Sequence, residues 1–149
     1  DAVKFQFYRY DALATPLYSK YEIYKDTFYT AEQRSEFVKY AKKLSLDVWV
    51  DVFDEWGFLV AKENIFYIDG IKIPPTVSLN HRLVEQILSL NLPILLGVGG
   101  LDDEQIDIVV NMVKNHNTAI EWALQITLML SLTWVLRCLA THLLPVQKS

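Results

Sequence analysis

Cysteine, basic surplus and long uninterrupted apolar runs are all scarce in this chain of 149 residues. The one cysteine, Cys138, cannot form an internal disulfide, and no C-x-x-C pair accompanies the three histidines, so the ligand spacing of a zinc site is missing. A reducing, cytoplasmic location is expected. Lys and Arg number 14 against 18 Asp and Glu, leaving a formal charge of −4 and a pI near 5.3. Neutralising a phosphate backbone requires a basic stripe, and none is visible, which argues against nucleic acid as a partner. The longest nearly uncharged run, Ile126 to Leu136, is interrupted by Arg137 and resumes to Leu144. It falls short of the roughly 18 apolar residues that a membrane span requires. A buried helix capping a sheet edge is the expectation for 125–149, and a tail from an altered reading frame would look similar. No basic n-region and apolar h-region precede the first strand pattern, so the chain reads as one whose native start is missing or that begins mid-fold. No internal repeat is present.

The remainder reads as an ordinary globular composition, 52% apolar and 21% charged, with enough apolar residues to bury a core. Short β-branched runs alternate with helix-period segments, the pattern of βαβ units building a parallel sheet in an α/β fold. Strands are expected at Ala2 to Phe7, Leu46 to Phe53, Tyr67 to Ile73, Pro93 to Val98 and Thr118 to Leu124. Thr30 with Gln33 forms a capping box that opens a helix carrying Phe37, Tyr40, Ala41 and Leu44 on one face. A second helix presents Leu83, Val84, Ile87 and Leu88. A third opens at Asp102, with Gln105 three residues on, and presents Ile106, Val109, Val110 and Val113. Asp54 to Glu63 is a weaker helical pattern interrupted by Gly57. Tyr8 to Tyr29 reads as a long loop with seven aromatic residues, a length that favours a substrate-covering role over plain packing.

Two lysines stand inside apolar strands, Lys4 in Val3-Lys4-Phe5-Gln6 and Lys72 in Ile71-Lys72-Ile73. An ammonium in a strand buried on both faces is costly unless an anion meets it. Either a bound phosphate or carboxylate serves, or a strand carboxylate such as Asp51 or Asp69. Alternation puts Lys4 and Gln6 on one face and Val3, Phe5 and Phe7 on the other, toward the helices.

The ordered set Lys4-Phe5-Gln6, Phe53-Asp54-Glu55 and Lys72-Ile73, each closing a strand, resembles the N-acetylneuraminate (sialic acid) synthase family. The resemblance runs from Ala2 to about Leu124. It implies a partial TIM (β/α)8 barrel over 1–124, roughly the second to sixth of eight strands, followed by an atypical apolar tail over 125–149. A whole barrel takes about 250 residues. A flavodoxin-like doubly wound sheet is the rival at this length. Open sheet edges then have to be covered by the tail or by self-association, or they invite aggregation.

The resemblance further implies condensation of phosphoenolpyruvate with an N-acetylated amino sugar to a nonulosonic acid, assisted by a divalent metal ion, Mn2+ or Mg2+. By position, Lys4 and Lys72 would hold the anionic groups of phosphoenolpyruvate, Gln6 would help hold the sugar, and Thr76 would supply a hydroxyl. Departures accompany these matches. Pro74 and Pro75 follow where the family has a serine, and Gly97-Val98-Gly99-Gly100 replaces its S-T-G-M, either a close backbone approach to phosphate or a plain turn. The family's first-strand glutamate would precede Asp1. Its metal-binding histidines belong to later strands, and His81, His116 and His142 stand in none of those contexts. The expectation is a fragment or divergent member, inactive alone, with a non-catalytic anion-binding half-barrel or an inert truncated remnant as alternatives.

Overall fold

The computed structural model describes residues 1–123. Along that span run β1 (Ala2–Phe7), α1 (Tyr10–Leu13), α2 (Tyr21–Asp26), α3 (Ala31–Lys43), β2 (Asp47–Val52), α4 (Glu55–Glu63), β3 (Gly70–Ile73), α5 (Pro75–Ser78), α6 (His81–Leu88), β4 (Ile94–Gly97), α7 (Asp103–Val113) and β5 (Thr118–Glu121). Leu124 and the tail expected over 125–149 lie outside the described residues.

All strand pairs are parallel, and the sheet order is β1-β2-β3-β4-β5. A doubly wound sheet must reverse its strand order at a switch point. Here every crossover steps to the next position in the same direction, and right-handed crossovers then place all the helices on one face. The flavodoxin-like alternative is thereby excluded, and the sheet is a run of consecutive barrel strands.

The helix side of the sheet is apolar because strand alternation delivers Phe7, Val48, Val50, Val52, Ile71, Ile73, Ile94 and Leu96 to it, all essentially fully buried. Each such burial contributes about 1.5–3 kcal/mol. Leu83, Val84, Ile87 and Leu88 of α6 and Val109 and Val113 of α7 complete the core, as the helix-period reading expects. Both capping boxes form as read: Thr30 with Gln33 on α3, and Asp102 with Gln105 on α7.

Four expectations change. The buried face of α3 is Arg34, Val38 and Ala41, while Phe37, Tyr40 and Leu44 are exposed. The apolar stripe misled because the residue that α3 buries most distinctively is an arginine. The third strand is shorter than read, since Ile65–Tyr67 forms a 3-10 turn and pairing starts at Gly70. The segment Tyr8 to Tyr29 is not free of internal structure but holds α1 and α2, helices too short to leave a periodic signature. Its rings pack on one another, Tyr10 with Tyr21 and Phe28, and Tyr24 with Tyr8 and Tyr18. Gly57 does not interrupt α4, which runs unbroken from Glu55 to Glu63. A Cβ there would collide with the Phe7 carbonyl oxygen, so glycine allows α4 to seat on the end of β1 while Asp54 Oδ1 accepts from the Gly57 N–H at 2.6 Å.

Candidate functional site

Opposite the helices, alternation collects a second set of side chains on the inner face. Register aligns them in rows: Lys4, Trp49 and Gly70 in the first, then Gln6, Asp51, Lys72, Leu95 and Ala119, then Gly97 and Glu121. Lys4, Gln6 and Lys72 therefore share one face, as the alternation reading requires. Lys4 lies mid-strand rather than at a strand end and reaches Asp51, the register partner of Gln6. Thr76 is exposed on the short helix α5 beyond β3, off the sheet.

Glycine shapes this face where a side chain would not fit. A Cβ on Gly70 would meet the Trp49 indole at 2.5 Å, so Trp49 lies across β3 as an apolar floor beneath the charged row. A Cβ on Gly97 would meet the Pro75 ring at 2.6 Å, and one on Gly99 would collide with the Ala123 carbonyl oxygen. The space beside Gly97 and Gly99 is thus filled by protein. Gly100, at φ +84°, closes the turn into α7, where an L side chain would be strained.

Both lysines have carboxylate neighbours. Lys4 Nζ lies 3.1 Å from Asp51 Oδ2. Lys72 Nζ lies 2.5 Å from Glu121 Oε2, a charge contact without hydrogen-bond alignment. Asp69, the other carboxylate considered from sequence, is turned away: it accepts from Lys42 Nζ at 2.8 Å and from the Val48 N–H at 2.7 Å. Burial alone would raise its pKa, but those hydrogen bonds and the Lys42 charge hold it below the ordinary carboxylate value. Asp51 behaves in the opposite way. Its side chain is 4% exposed, and burial pushes its pKa up, against the pull of Lys4, Lys72 and the Gln6 amide. Asp51 Oδ1 is buried with no hydrogen-bond partner.

Asp51 entered the sequence reading only as one of two candidate carboxylate partners for the lysines, and Glu121 and Trp49 did not enter it. Strand parity marks Asp51 and Trp49 as inward-facing, but which residues stand beside them is a matter of register. Among the described residues, no three His, Cys, Asp or Glu side chains gather closely enough to hold a metal ion. The inner-face carboxylates are each tied to a lysine, so the residues described here do not fit the expected divalent ion.

Arg34, also absent from the sequence reading of the site, governs the outer edge of β1. Phe7 and Asp1 turn their carbonyls to β2, which directs the backbone groups of Gln6 and Tyr8 toward the open edge. The buried Arg34 guanidinium donates to the Gln6 carbonyl, to Tyr29 O at 3.1 Å and to Tyr8 O at 3.4 Å. It lies within 5.2–5.8 Å of the ring centroids of Phe7, Tyr8, Phe28 and Trp56. A cavity of about 580 Å³ runs along this edge, bordered by Lys4, Gln6, Tyr29, Arg34 and Phe37.

The model of the NeuB family matches residues 1–130, slightly beyond the end near Leu124 read from the sequence. No curated protein matches the chain. Among solved structures, the N-acetylneuraminic acid (sialic acid) synthetase of Leptospira borgpetersenii serovar Hardjo-bovis, in complex with citrate, superposes with a TM-score of 0.75 at 17% identity, over 83% of this chain and 44% of that one. Spore coat polysaccharide biosynthesis protein E of Chromobacterium violaceum superposes with a TM-score of 0.71 at 21% identity, over 83% of this chain and 39% of that one. The present chain thus spans less than half the length of either structure. No helix among the described residues is long and apolar enough to cross a membrane. With a consecutive parallel run of barrel strands, a lysine-bearing inner face and a family match over most of its length, the chain belongs to the NeuB family.

Proposed function

We propose that the chain is part of, or a divergent form of, a nonulosonic acid synthase, supplying the β1–β5 wall of a site that condenses phosphoenolpyruvate with an N-acetylated amino sugar. The observation that carries this reading is the shared inner face of Lys4, Gln6 and Lys72 on adjacent barrel strands. In this role Lys4 and Lys72 attract the phosphate and carboxylate of phosphoenolpyruvate, a preorganised charge pair at a fixed spacing. The Gln6 amide, able both to donate and to accept, suits the hydroxyl and acetamido groups of the sugar. Thr76 is the nearest hydroxyl in sequence after Lys72 and is assigned the weakest part. When bound, a divalent ion would polarise the sugar aldehyde, and its ligands would come from outside the described residues. These 149 residues are proposed not to turn over substrate alone.

A second reading, a non-catalytic anion-binding half-barrel, draws support from the ion pairs Lys4–Asp51 and Lys72–Glu121, which place a carboxylate beside each lysine. Calorimetric titration with phosphoenolpyruvate, run beside a product assay with N-acetylated amino sugars and Mn2+, tests the anion site that both readings share and the proposed lack of turnover. Product formation supports a self-sufficient synthase. Binding without product supports a wall or half-barrel, and absence of both rejects the functional assignment.

A further inference from the structure

Four charged side chains on the inner face alternate in sign from strand to strand: Lys4 on β1, Asp51 on β2, Lys72 on β3 and Glu121 on β5. Their formal charges cancel, so the face offers an anion no net attraction while both carboxylates are ionised. Asp51 stands at the centre, in register with Gln6 on one side and Lys72 on the other. One of its oxygens meets Lys4, and the other is buried with no hydrogen-bond partner. Burial pushes this carboxyl toward its neutral form, and the flanking ammonium groups pull it back toward the charged one. The charged form would repel an anionic ligand group brought within a few ångströms at low local dielectric.

We propose that Asp51 is a built-in counter-anion, filling the place between Lys4 and Lys72 in the free chain, and that an anionic ligand group binds there only as Asp51 takes up a proton from solvent. The proposal rests on reading this face as an anion site and adds its control. One proton enters for each anion bound. The ligand takes over the two ammonium groups, and the protonated Asp51 becomes a hydrogen-bond donor toward it. Burial already favours the neutral carboxyl, opposed by Lys4, Lys72 and Gln6, and an arriving anion cancels that opposition. The groups facing Asp51 are Lys4 and Gln6 from β1 and Lys72 from β3, with Glu121 of β5 behind Lys72. Neither His81 on α6 nor His116 after α7 belongs to a strand of this sheet.

Sulfate is the direct probe, because it stays dianionic between about pH 5 and 8, so that only protein groups titrate. Calorimetric titration of the 149-residue chain should show sulfate affinity rising as pH falls, approaching about tenfold per pH unit where Asp51 titrates. Asp51→Asn should bind at pH 8 as tightly as the wild type does at its acid plateau, with a flat pH profile. Glu121→Gln should retain the slope. Carboxyl 13C resonances of the wild type supply a reading independent of any variant, and the Asp51 midpoint should move up on saturation with sulfate. A flat wild-type profile, an Asp51→Asn chain that binds no more tightly, or an Asp51 midpoint unmoved by sulfate overturns the counter-anion role alone. Sulfate binding absent from every variant at every pH overturns this proposal and the anion-site reading together.

Discussion

Replacing Arg34 with methionine isolates what a single buried cation does for the edge of this sheet. Methionine keeps length and apolar volume but donates no hydrogen bonds. The substitution strands the edge-facing carbonyl of Gln6 and that of Tyr29, with Tyr8 O losing a longer contact. A buried acceptor left without a donor costs about 1–3 kcal/mol. The four surrounding rings lose a cation whose attraction is worth about 0.5–2 kcal/mol. Against this stand relief from burying a charge and access of water to the part-buried carbonyls, which leaves a net loss of about 2–4 kcal/mol. Domains of this kind hold about 5–15 kcal/mol, so the effect is a large share of the total. At a urea dependence of about 2 kcal/mol per molar, the unfolding midpoint should fall by about 1–2 M. Arg34→Lys keeps the charge but cannot span three carbonyls with one planar fork, and it should fall in between. An Arg34→Met midpoint within about 0.2 M of the wild type would refute the reasoning, because it would mean that the carbonyls at the β1 edge do not depend on this side chain.

Further predictions concern packing and pH. Gly57→Ala places a Cβ against the Phe7 carbonyl oxygen, so α4 must lift from β1, and the urea midpoint should report a loss of about 1–3 kcal/mol. Asp51→Asn should stabilise the chain at neutral pH. The folded pKa of Asp51 is raised, so the native state holds the extra proton and wild-type stability falls as pH rises from the unfolded value of about 3.9 through the folded value. The gain seen in urea titrations should therefore vanish at acid pH, and a pH-independent gain would contradict it. Asp69→Asn carries the opposite sign. The Asp69 pKa is depressed, its contribution is present above about pH 4 and lost as pH falls through the folded value. With both partners about one-third exposed, the Lys42–Asp69 pair is worth at most about 1 kcal/mol by thermal unfolding at pH 7.

The strand and helix succession was legible because β-branched runs and capping boxes are local signals, and β1, α6 and α7 fell where those signals stand. The inward direction of Lys4, Gln6 and Lys72 was equally legible, since parity within one strand decides it. What parity cannot give is the neighbour across the sheet. That Asp51 faces Lys72, and that Glu121 meets Lys72 across intervening β4, follows from register and sheet curvature, which depend on contacts distant in sequence. Arg34 was hidden for a related reason. An arginine in a helix pattern reads as a solvated residue, and only the arrival of the β1 edge and four rings turns it inward. The short helices α1 and α2 are held by aromatic contacts rather than by periodicity.

The central claim is that Lys4 and Lys72 act together on one anionic ligand of the inner face. Calorimetric titration of phosphoenolpyruvate into the wild-type chain and the Lys72→Ala variant, both near pH 6 and checked for intact folding by circular dichroism, tests it most directly. The account predicts measurable binding to the wild type, weakened by about 1–3 kcal/mol in the variant through loss of a charge-assisted contact. Equal affinity in the two chains, or no binding to either, would contradict it.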